Sequence, residues 1–374
     1  MTTNPQKLYE LGQSLWYDNI ERRLLKDGEL KAMIDRGDIY GITSNPTIFN
    51  NAIAKSKDYD EQIESLAKEG LTTEEIFDKL TVSDIQSATD LLRSFYDSSR
   101  GGDGYVSIEV HPDLANDTEA TKTEAQRLWD LVDRPNLFVK IPATAEGVPA
   151  IRDSLANGIN INITLIFSRR RYAEVIEAYL SGLEERVANN LPIAHIASVA
   201  SFFVSRIDTK VDGWLDELIK KGGAQAKQAA SLKGQAAIAN AKLAYQLFKE
   251  QFSTPRFEAL QKKGARLQRP LWASTSTKNP DYPDLLYVDT LIGANTVNTV
   301  PQQTLDAFKD HGKVELTIES NLDAAKQVLS DLESLSLSLD QATAEVEIEG
   351  VESFSKSIHA VFDAIEERSR TLVA

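Results

Sequence analysis

The sequence contains no cysteine and only four histidines in 374 residues. The missing thiols exclude disulfides, thiolate nucleophiles and cysteine-ligated metals. The histidines lie far apart and have no metal-ligand spacing: His111, His195, His311 and His359. We therefore expect neither a metal site nor another bound cofactor.

Long apolar runs are also missing. No stretch of about 18 apolar residues occurs, so we expect no membrane span, and residues Met1–Lys7 lack the apolar core of a signal peptide. Hydrophobic residues make up 42% and charged residues 26%, as in a soluble globular protein. These features together predict a cytoplasmic protein.

Basic residues are in the minority. The 41 lysines and arginines are outnumbered by 56 acidic residues, which gives a net charge of −15. This balance argues against nucleic-acid binding, which needs a basic face. It does not exclude a small anionic metabolite, because a single phosphate needs only one or two well-placed cations.

Short apolar or β-branched runs alternate with amphipathic helical segments along the chain. Eight runs are predicted as strands: Ser14–Asp18, Ile39–Thr43, Tyr105–Val110, Leu137–Pro142, Ile159–Phe167, His195–Phe203, Pro270–Ser274 and Leu285–Val288. Strands that alternate with helices form a parallel sheet, because parallel neighbours need a crossover connection. Eight such units predict an α/β fold of the (β/α)8 TIM-barrel type, which takes about 250 residues.

The remaining length is predicted to form insertions. Residues 207–268, rich in Ala, Lys and Gln, predict two or three extra helices between strands six and seven. Residues 351–374 predict an amphipathic helix whose apolar stripe, including Phe354, packs on the core. An open doubly wound sheet is the alternative fold, but no G-x-G-x-x-G motif follows an early strand. Because no linker is evident, we expect one domain over residues 1–374.

One lysine, Lys140, interrupts the otherwise apolar run Leu137–Pro142. Burying an ammonium without a partner is costly, so the neutral amine is favoured. A neutral amine is a nucleophile that forms a Schiff base with a carbonyl substrate. A lysine at a strand end often only extends its charged head into water, so this run alone leaves both interpretations open.

Polar side chains follow most of the predicted strands. Catalytic groups of a barrel lie at the C-terminal ends of its strands, where this chain has Asp18, Asn45, Glu109, Lys140, Asn162, Thr164, Ser201, Arg206 and Ser274. Each has a structural alternative: Asp18 suits a helix N-cap and Asn45 a turn before Pro46. Together, a lysine amine, two carboxylates and an amide at one barrel mouth predict a Schiff-base site.

Four ordered motifs resemble signatures of the transaldolase family: Gly41–Phe49, Val139–Thr144, Asn160–Ser168 and Ser201–Asp208. The resemblance extends along nearly the whole chain and is similar to the longer subgroup of this Schiff-base aldolase superfamily. It implies a (β/α)8 barrel that transfers a dihydroxyacetone unit between sugar phosphates. The donor would be sedoheptulose 7-phosphate and the acceptor glyceraldehyde 3-phosphate, giving erythrose 4-phosphate and fructose 6-phosphate in the non-oxidative pentose phosphate pathway.

The resemblance also implies roles for individual residues. Lys140 would form the Schiff base, Glu109 would relay protons through a water, and Asp18 would be the acid–base partner of the substrate hydroxyl. Substrate binding would fall to Asn45, Thr164, Ser201, Phe203, Arg206, Ser274 and Lys278, with Arg206 and Ser274 at the phosphate.

One position departs from the family pattern. Shorter members have a second phosphate-binding arginine just after the Ala-Ser of the seventh strand, whereas this chain has a longer segment, Ala273–Asn279, that contains Lys278. A lysine supplies the charge but not a bidentate fork.

Two alternative functions stay open at this point. Aldolases of the same superfamily cleave fructose 6-phosphate and release dihydroxyacetone. They resemble shorter chains with a glutamine in place of Glu109 and a tyrosine in place of Phe203, so both positions favour the transferase. A non-catalytic barrel is the other alternative, because fold alone does not establish function.

Overall fold

The structure, a computed structural model, describes residues 2–373. The strands in this range are β1 (Gln13–Tyr17), β2 (Val106–Glu109), β3 (Leu137–Pro142), β4 (Ile161–Ile166), β5 (Ser198–Phe203), β6 (Arg269–Ala273) and β7 (Thr296–Val300). They form one sheet in the order β1-β7-β6-β5-β4-β3-β2, with parallel neighbours throughout. Every residue of β3, β4 and β5 is buried, as expected for a parallel sheet covered on both faces.

Helices surround the sheet and fill most of the connections between strands. Their bounds are α1 (Asn4–Glu10), α2 (Arg22–Lys26), α3 (Glu29–Asp35), α4 (Pro46–Ala54), α5 (Asp60–Lys68), α6 (Thr73–Ser98), α7 (Thr118–Val132), α8 (Gly147–Ala156), α9 (Arg169–Ala188), α10 (Ser205–Lys221), α11 (Ala224–Leu232), α12 (Ala236–Gln251), α13 (Pro255–Gln261), α14 (Leu286–Thr290), α15 (Gln302–His311), α16 (Leu322–Ser334) and α17 (Leu339–Val373). A 3-10 turn, Pro112–Leu114, follows β2. None of the described helices combines the length and the apolar character needed to cross a membrane.

The two edge strands of the sheet, β1 and β2, are joined through residues 40–43. Ile42 forms parallel bridges to Tyr17 and to Val106. The backbone N–H of Tyr17 donates to the Gly41 carbonyl at 2.9 Å, and that of Ser107 donates to the Ile42 carbonyl at 3.0 Å. The strand predicted at Ile39–Thr43 is thus reduced to one bridging residue, because the chain turns into α4 a few residues later.

The strand predicted at Leu285–Val288 is wrong. Leu285 is the N-cap of α14, and the last strand of the sheet is β7. A short apolar run does not distinguish a strand from a buried helical turn, and here the N–H of Leu286 donates to the Pro283 carbonyl, which begins a turn. β7 was not predicted, because polar residues interrupt its apolar pattern, yet Thr296 and Asn298 are fully buried.

The helical predictions agree better with the structure. Ser168 is the N-cap of α9, and its hydroxyl accepts a hydrogen bond from the N–H of Arg171 at 3.0 Å. The helix expected over residues 351–374 is confirmed to Val373, although it begins earlier, at Leu339. Ala374 lies outside the described residues.

Close packing at Gly41 predicts an effect on stability. A Cβ atom at this position would lie 2.5 Å from Cε2 of the fully buried Trp16. We expect Gly41→Ala to lower the free energy of unfolding by about 1–3 kcal/mol through overpacking, measured by urea denaturation. Gly213→Ala is the matched control: nothing lies within 4 Å of its added methyl, so in the interior of α10 it should raise stability by about 0.5–1 kcal/mol. Equal stability of the two variants would contradict the packing argument.

Candidate active site

A cavity of about 600 Å³ opens at the carboxyl ends of the strands. Its walls include nine of the ten predicted site residues: Asp18, Asn45, Lys140, Thr164, Ser201, Phe203, Arg206, Ser274 and Lys278. The tenth, Glu109, is the register partner of Lys140 in the β2–β3 pair. Glu109 also lines a second cavity, of about 380 Å³, on its other side. The structure therefore brings all ten residues together.

Lys140 is buried, and it is not alone. Its Nζ donates to the carbonyl of Ser44 at 2.8 Å and lies 3.0 Å from Oε2 of Glu109. The side chains of the pair are 6% and 5% exposed. The register of β2 and β3 places a carboxylate beside the buried lysine.

The contact between Lys140 and Glu109 is ionic in character. Within the described residues, Oε2 of Glu109 has no aligned hydrogen-bond partner despite its short distance to Nζ. Burial raises the pKa of Glu109, the charge of Lys140 opposes that shift, and Asp18 adds to it. A carboxyl group whose pKa is raised by burial accepts a proton from a neighbouring ammonium more readily than an exposed one. The arrangement therefore suits proton transfer from Lys140 to Glu109.

Asp18 forms the second acid–base group at the cavity. Thr43 Oγ1 donates to Asp18 Oδ1 at 2.7 Å, and Thr299 Oγ1 lies 2.5 Å from Thr43 Oγ1. The N-cap of the following helix, α2, is Glu21, so Asp18 does not serve as a cap. Burial raises the pKa of Asp18, while the hydrogen bond from Thr43 and the charge of Lys140 act against this rise. A carboxyl group with a raised pKa exchanges protons nearer to neutral pH.

Neutral polar side chains complete the wall. Asn45 caps α4 with Oδ1, which accepts from the N–H of Ile48 at 2.9 Å, so its amide N–H groups remain as donors at the cavity. Ser201 Oγ donates to Asn162 Oδ1 at 2.7 Å. The hydroxyl of Thr164 is buried without a hydrogen-bond partner among the described residues. An orphaned buried hydroxyl at a cavity wall indicates a water or substrate partner.

Two cations lie at the cavity without a counter-charge. Across residues 2–373, neither Arg206 nor Lys278 has a carboxylate oxygen within 4.0 Å. The guanidinium carbon of Arg206 lies 5.3 Å from the ring centre of Phe203 and 5.9 Å from that of Phe354. Arg206 is partly buried between these rings, whereas Lys278 is exposed at the rim. Unpaired cations facing a cavity are typical of an anion site.

Four residues to which the sequence analysis assigned no role contribute to this site: Thr43, Ser44, Thr299 and Phe354. Ser44 and Thr43 belong to the Gly41–Phe49 motif, whose resemblance to a family signature pointed to this segment. Thr299 lies in the strand that was missed. Phe354 was predicted only as packing, and it is buried, but it also lines the cavity from the distant helix α17.

Comparison with known proteins agrees with the motifs. Residues 15–365 match the family described as "Transaldolase/Fructose-6-phosphate aldolase". The chain belongs to this family. It is 45% identical to a "Transaldolase" of Trichodesmium erythraeum (strain IMS101), an alignment that covers 100% of this chain and 99% of the relative.

Two further relatives give the same result. A "Transaldolase" of Parafrankia sp. (strain EAN1pec) is 48% identical, with 96% of this chain and 95% of the relative covered. A "Transaldolase" of Acidothermus cellulolyticus (strain ATCC 43068 / DSM 8971 / 11B) is 49% identical, with 96% and 94% covered. The resemblance predicted from the four motifs is confirmed.

The two unpaired cations predict unequal contributions to phosphate binding. Arg206→Ala should raise KM for phosphorylated sugars about 10- to 100-fold. The substitution removes a guanidinium that is positioned between two aromatic rings and can donate two hydrogen bonds to one phosphate. Lys278→Ala should raise KM only about two- to fivefold, as expected for an exposed charge. In both variants kcat should be largely kept, because a phosphate is bound equally before and during reaction. Steady-state kinetics provide the measurement.

The control is Lys227→Ala, which removes an exposed lysine from α11. Its KM should equal that of the wild type. An unchanged KM in Lys278→Ala would remove Lys278 from the site.

Proposed function

We propose that this chain is a transaldolase of the cytoplasmic pentose phosphate pathway. It transfers a dihydroxyacetone unit from sedoheptulose 7-phosphate to glyceraldehyde 3-phosphate and yields erythrose 4-phosphate and fructose 6-phosphate. The observation that carries the proposal is the buried Lys140, 3.0 Å from Glu109, in a cavity that also exposes the unpaired cations Arg206 and Lys278. The names of the full-length relatives support the same activity.

The proposal includes a closed (β/α)8 barrel that comprises residues 1–374 as one domain. Ile42 takes the place of the second strand, since it bridges both edges of the seven-stranded sheet. Helices within residues 207–268 are insertions between the sixth and seventh barrel strands, here β5 and β6. Four helices, α10 to α13, lie between those two strands, which is more than one crossover requires.

The first half of the reaction makes the Schiff base. Lys140 gives a proton to Glu109, and its neutral amine attacks the C2 carbonyl of the ketose to form a carbinolamine. Glu109, acting through a water on the Thr164 hydroxyl, returns the proton to the C2 hydroxyl, which leaves as water. The product is an iminium ion on Lys140 that can accept an electron pair.

The second half moves the three-carbon unit. Asp18 takes the proton of the C4 hydroxyl, the C3–C4 bond breaks, and its electron pair moves to the iminium to give an enamine. Erythrose 4-phosphate leaves, and the enamine carbon attacks the aldehyde of glyceraldehyde 3-phosphate. Asp18 gives its proton to the new hydroxyl, and water hydrolyses the Schiff base to release fructose 6-phosphate. No cofactor takes part in these steps.

The other side chains bind and orient the sugar. Asn45 and Ser201 contact substrate hydroxyls, and Phe203 forms an apolar wall. Arg206 and Lys278 bind the phosphate with the Ser274 hydroxyl between them; Ser274 Oγ lies 2.9 Å from Ser205 Oγ at the start of α10.

Trapping with borohydride tests the identity of the nucleophile. With fructose 6-phosphate and sodium borohydride, we expect a reduced dihydroxyacetone adduct on Lys140, located by peptide mass spectrometry. Lys242 is the matched control, because it is also buried and desolvation lowers its pKa, but it donates to the carbonyls of Thr317 and Ser320 outside the cavity. Lys140→Met should abolish trapping and Lys242→Met should not. An adduct on any other lysine would overturn the mechanism.

An acceptor-dependence assay separates the transferase from the aldolase. With fructose 6-phosphate alone, release of free dihydroxyacetone should be slow, because Phe203 offers no phenol to protonate the enamine. Addition of erythrose 4-phosphate should restore rapid turnover, measured as sedoheptulose 7-phosphate formed. Comparable rates of dihydroxyacetone release with and without the acceptor would support the aldolase instead.

A further inference from the structure

Helix α10 contains Arg206. It is also hydrogen-bonded to the loop that carries Lys278. Asp212, six residues after Arg206 on this helix, is only 8% exposed and has no role in the proposed mechanism. Its Oδ2 accepts a hydrogen bond of 2.6 Å from the hydroxyl of Tyr282. Tyr282 lies four residues after Lys278, so this bond ties the two phosphate-binding elements together.

Both members of the pair are fixed by further contacts. Oδ1 of Asp212 accepts a hydrogen bond of 3.0 Å from the N–H of Gly234. The ring of Tyr282 packs on the same glycine, where a Cβ atom would lie only 2.9 Å from Cζ of the ring. Burial and the hydrogen bond to Asp212 raise the pKa of Tyr282, so its hydroxyl stays a donor at neutral pH.

Lys278 itself is exposed and makes no hydrogen bond or ion pair within residues 2–373. Its neighbours therefore determine where it lies. On one side, Ser276 Oγ lies 2.7 Å from Thr304 Oγ1. On the other side, the N–H of Tyr282 donates to the carbonyl of Asn279 at 3.2 Å and closes a turn. The contacts at Ser276 and Tyr282 thus flank the lysine.

A second tyrosine–carboxylate bond on α10 has a different location. Tyr287 donates to Oδ2 of Asp208 at 2.9 Å, and Oδ1 of Asp208 accepts from the N–H of Ala237 at 2.8 Å. Tyr287 belongs to α14, nine residues after Lys278. This bond joins two helices to each other, whereas the bond of Tyr282 joins the loop that carries Lys278 to α10.

We propose that Asp212 and Tyr282 form a positioning pair that holds Lys278 beside Arg206, so that both cations bind one phosphate of the substrate. The inference rests on the proposed function, because that function assigns Lys278 to the substrate phosphate. With the pair intact, a phosphate binds to a loop around Lys278 that is already ordered. Without it, the phosphate must order the loop as it binds, and the ordering reduces affinity.

The test is a double-mutant cycle with Tyr282→Phe and Lys278→Ala. Tyr282→Phe keeps the ring on Gly234 and removes only the hydroxyl. It should raise KM for fructose 6-phosphate by at most the roughly two- to fivefold expected of Lys278→Ala, because the pair acts only through this lysine, and it should leave kcat within about twofold. Its Kd for inorganic phosphate, measured by calorimetry, should rise by the same factor. In the Lys278→Ala background, Tyr282→Phe should have no further effect on either constant.

Two more variants control the cycle. Asp212→Asn should reproduce the effect of Tyr282→Phe, because its amide is a weaker acceptor for the same hydroxyl. Tyr179→Phe removes a hydroxyl that donates to the Arg266 carbonyl away from the cavity, and it should match the wild type in KM, kcat and phosphate Kd.

The outcomes separate this proposal from the proposed function. If Tyr282→Phe leaves the phosphate Kd unchanged, or weakens binding equally with and without the Lys278 side chain, the positioning pair is overturned. The calorimetric measurement needs no turnover. A wild-type protein without transferase or trapping activity therefore overturns the proposed function, while phosphate binding by the single and double variants still decides the pair.

Discussion

The buried ion pair between Lys140 and Glu109 is the constraint on which the site depends. Removing one partner from such a pair costs about 3–5 kcal/mol, because the other charge stays buried without compensation. The pair exists only because Glu109 and Lys140 are register partners in adjacent parallel strands. The carbonyl of Ser44 takes a further ammonium hydrogen and fixes the segment that joins the sheet edges. The register of the sheet therefore determines the surroundings of the Lys140 amine.

Buried polar residues continue inward from this pair. Asn162 donates to Ser107 Oγ at 3.0 Å and accepts from Ser201, so that a chain of hydrogen bonds crosses β2, β4 and β5. Such groups stabilise a core only when they are satisfied, and each would cost about 1–3 kcal/mol if left unpaired. The hydroxyl of Thr164, which has no hydrogen-bond partner among the described residues, faces the cavity.

Strands that follow from a local apolar pattern were predicted from the sequence. Strands and contacts that depend on distant residues were not. Apolar runs such as Leu137–Pro142 correctly predicted strands, because they are buried on both faces. β7 was missed because Asn298 is polar in sequence, and its burial depends on a distant partner, Thr275 Oγ1, at 2.8 Å. Glu109 was predicted as a site residue, but its contact with Lys140 depends on the register of β2 and β3. Phe354 reaches the cavity from a helix far along the chain, which no local signal indicates.

The same burial that prepares the two carboxyl groups for proton transfer also helps an anion to enter. A net charge of −15 should oppose sugar phosphates at long range, but salt screens exposed charges beyond about 8 Å. Charges inside the cavity therefore decide binding. Raised pKa values leave Asp18 and Glu109 protonated to a greater extent than exposed carboxyls would be. The proposed attraction of a substrate phosphate to Arg206 and Lys278 then meets less repulsion, and no carboxylate of the described chain pairs with either cation.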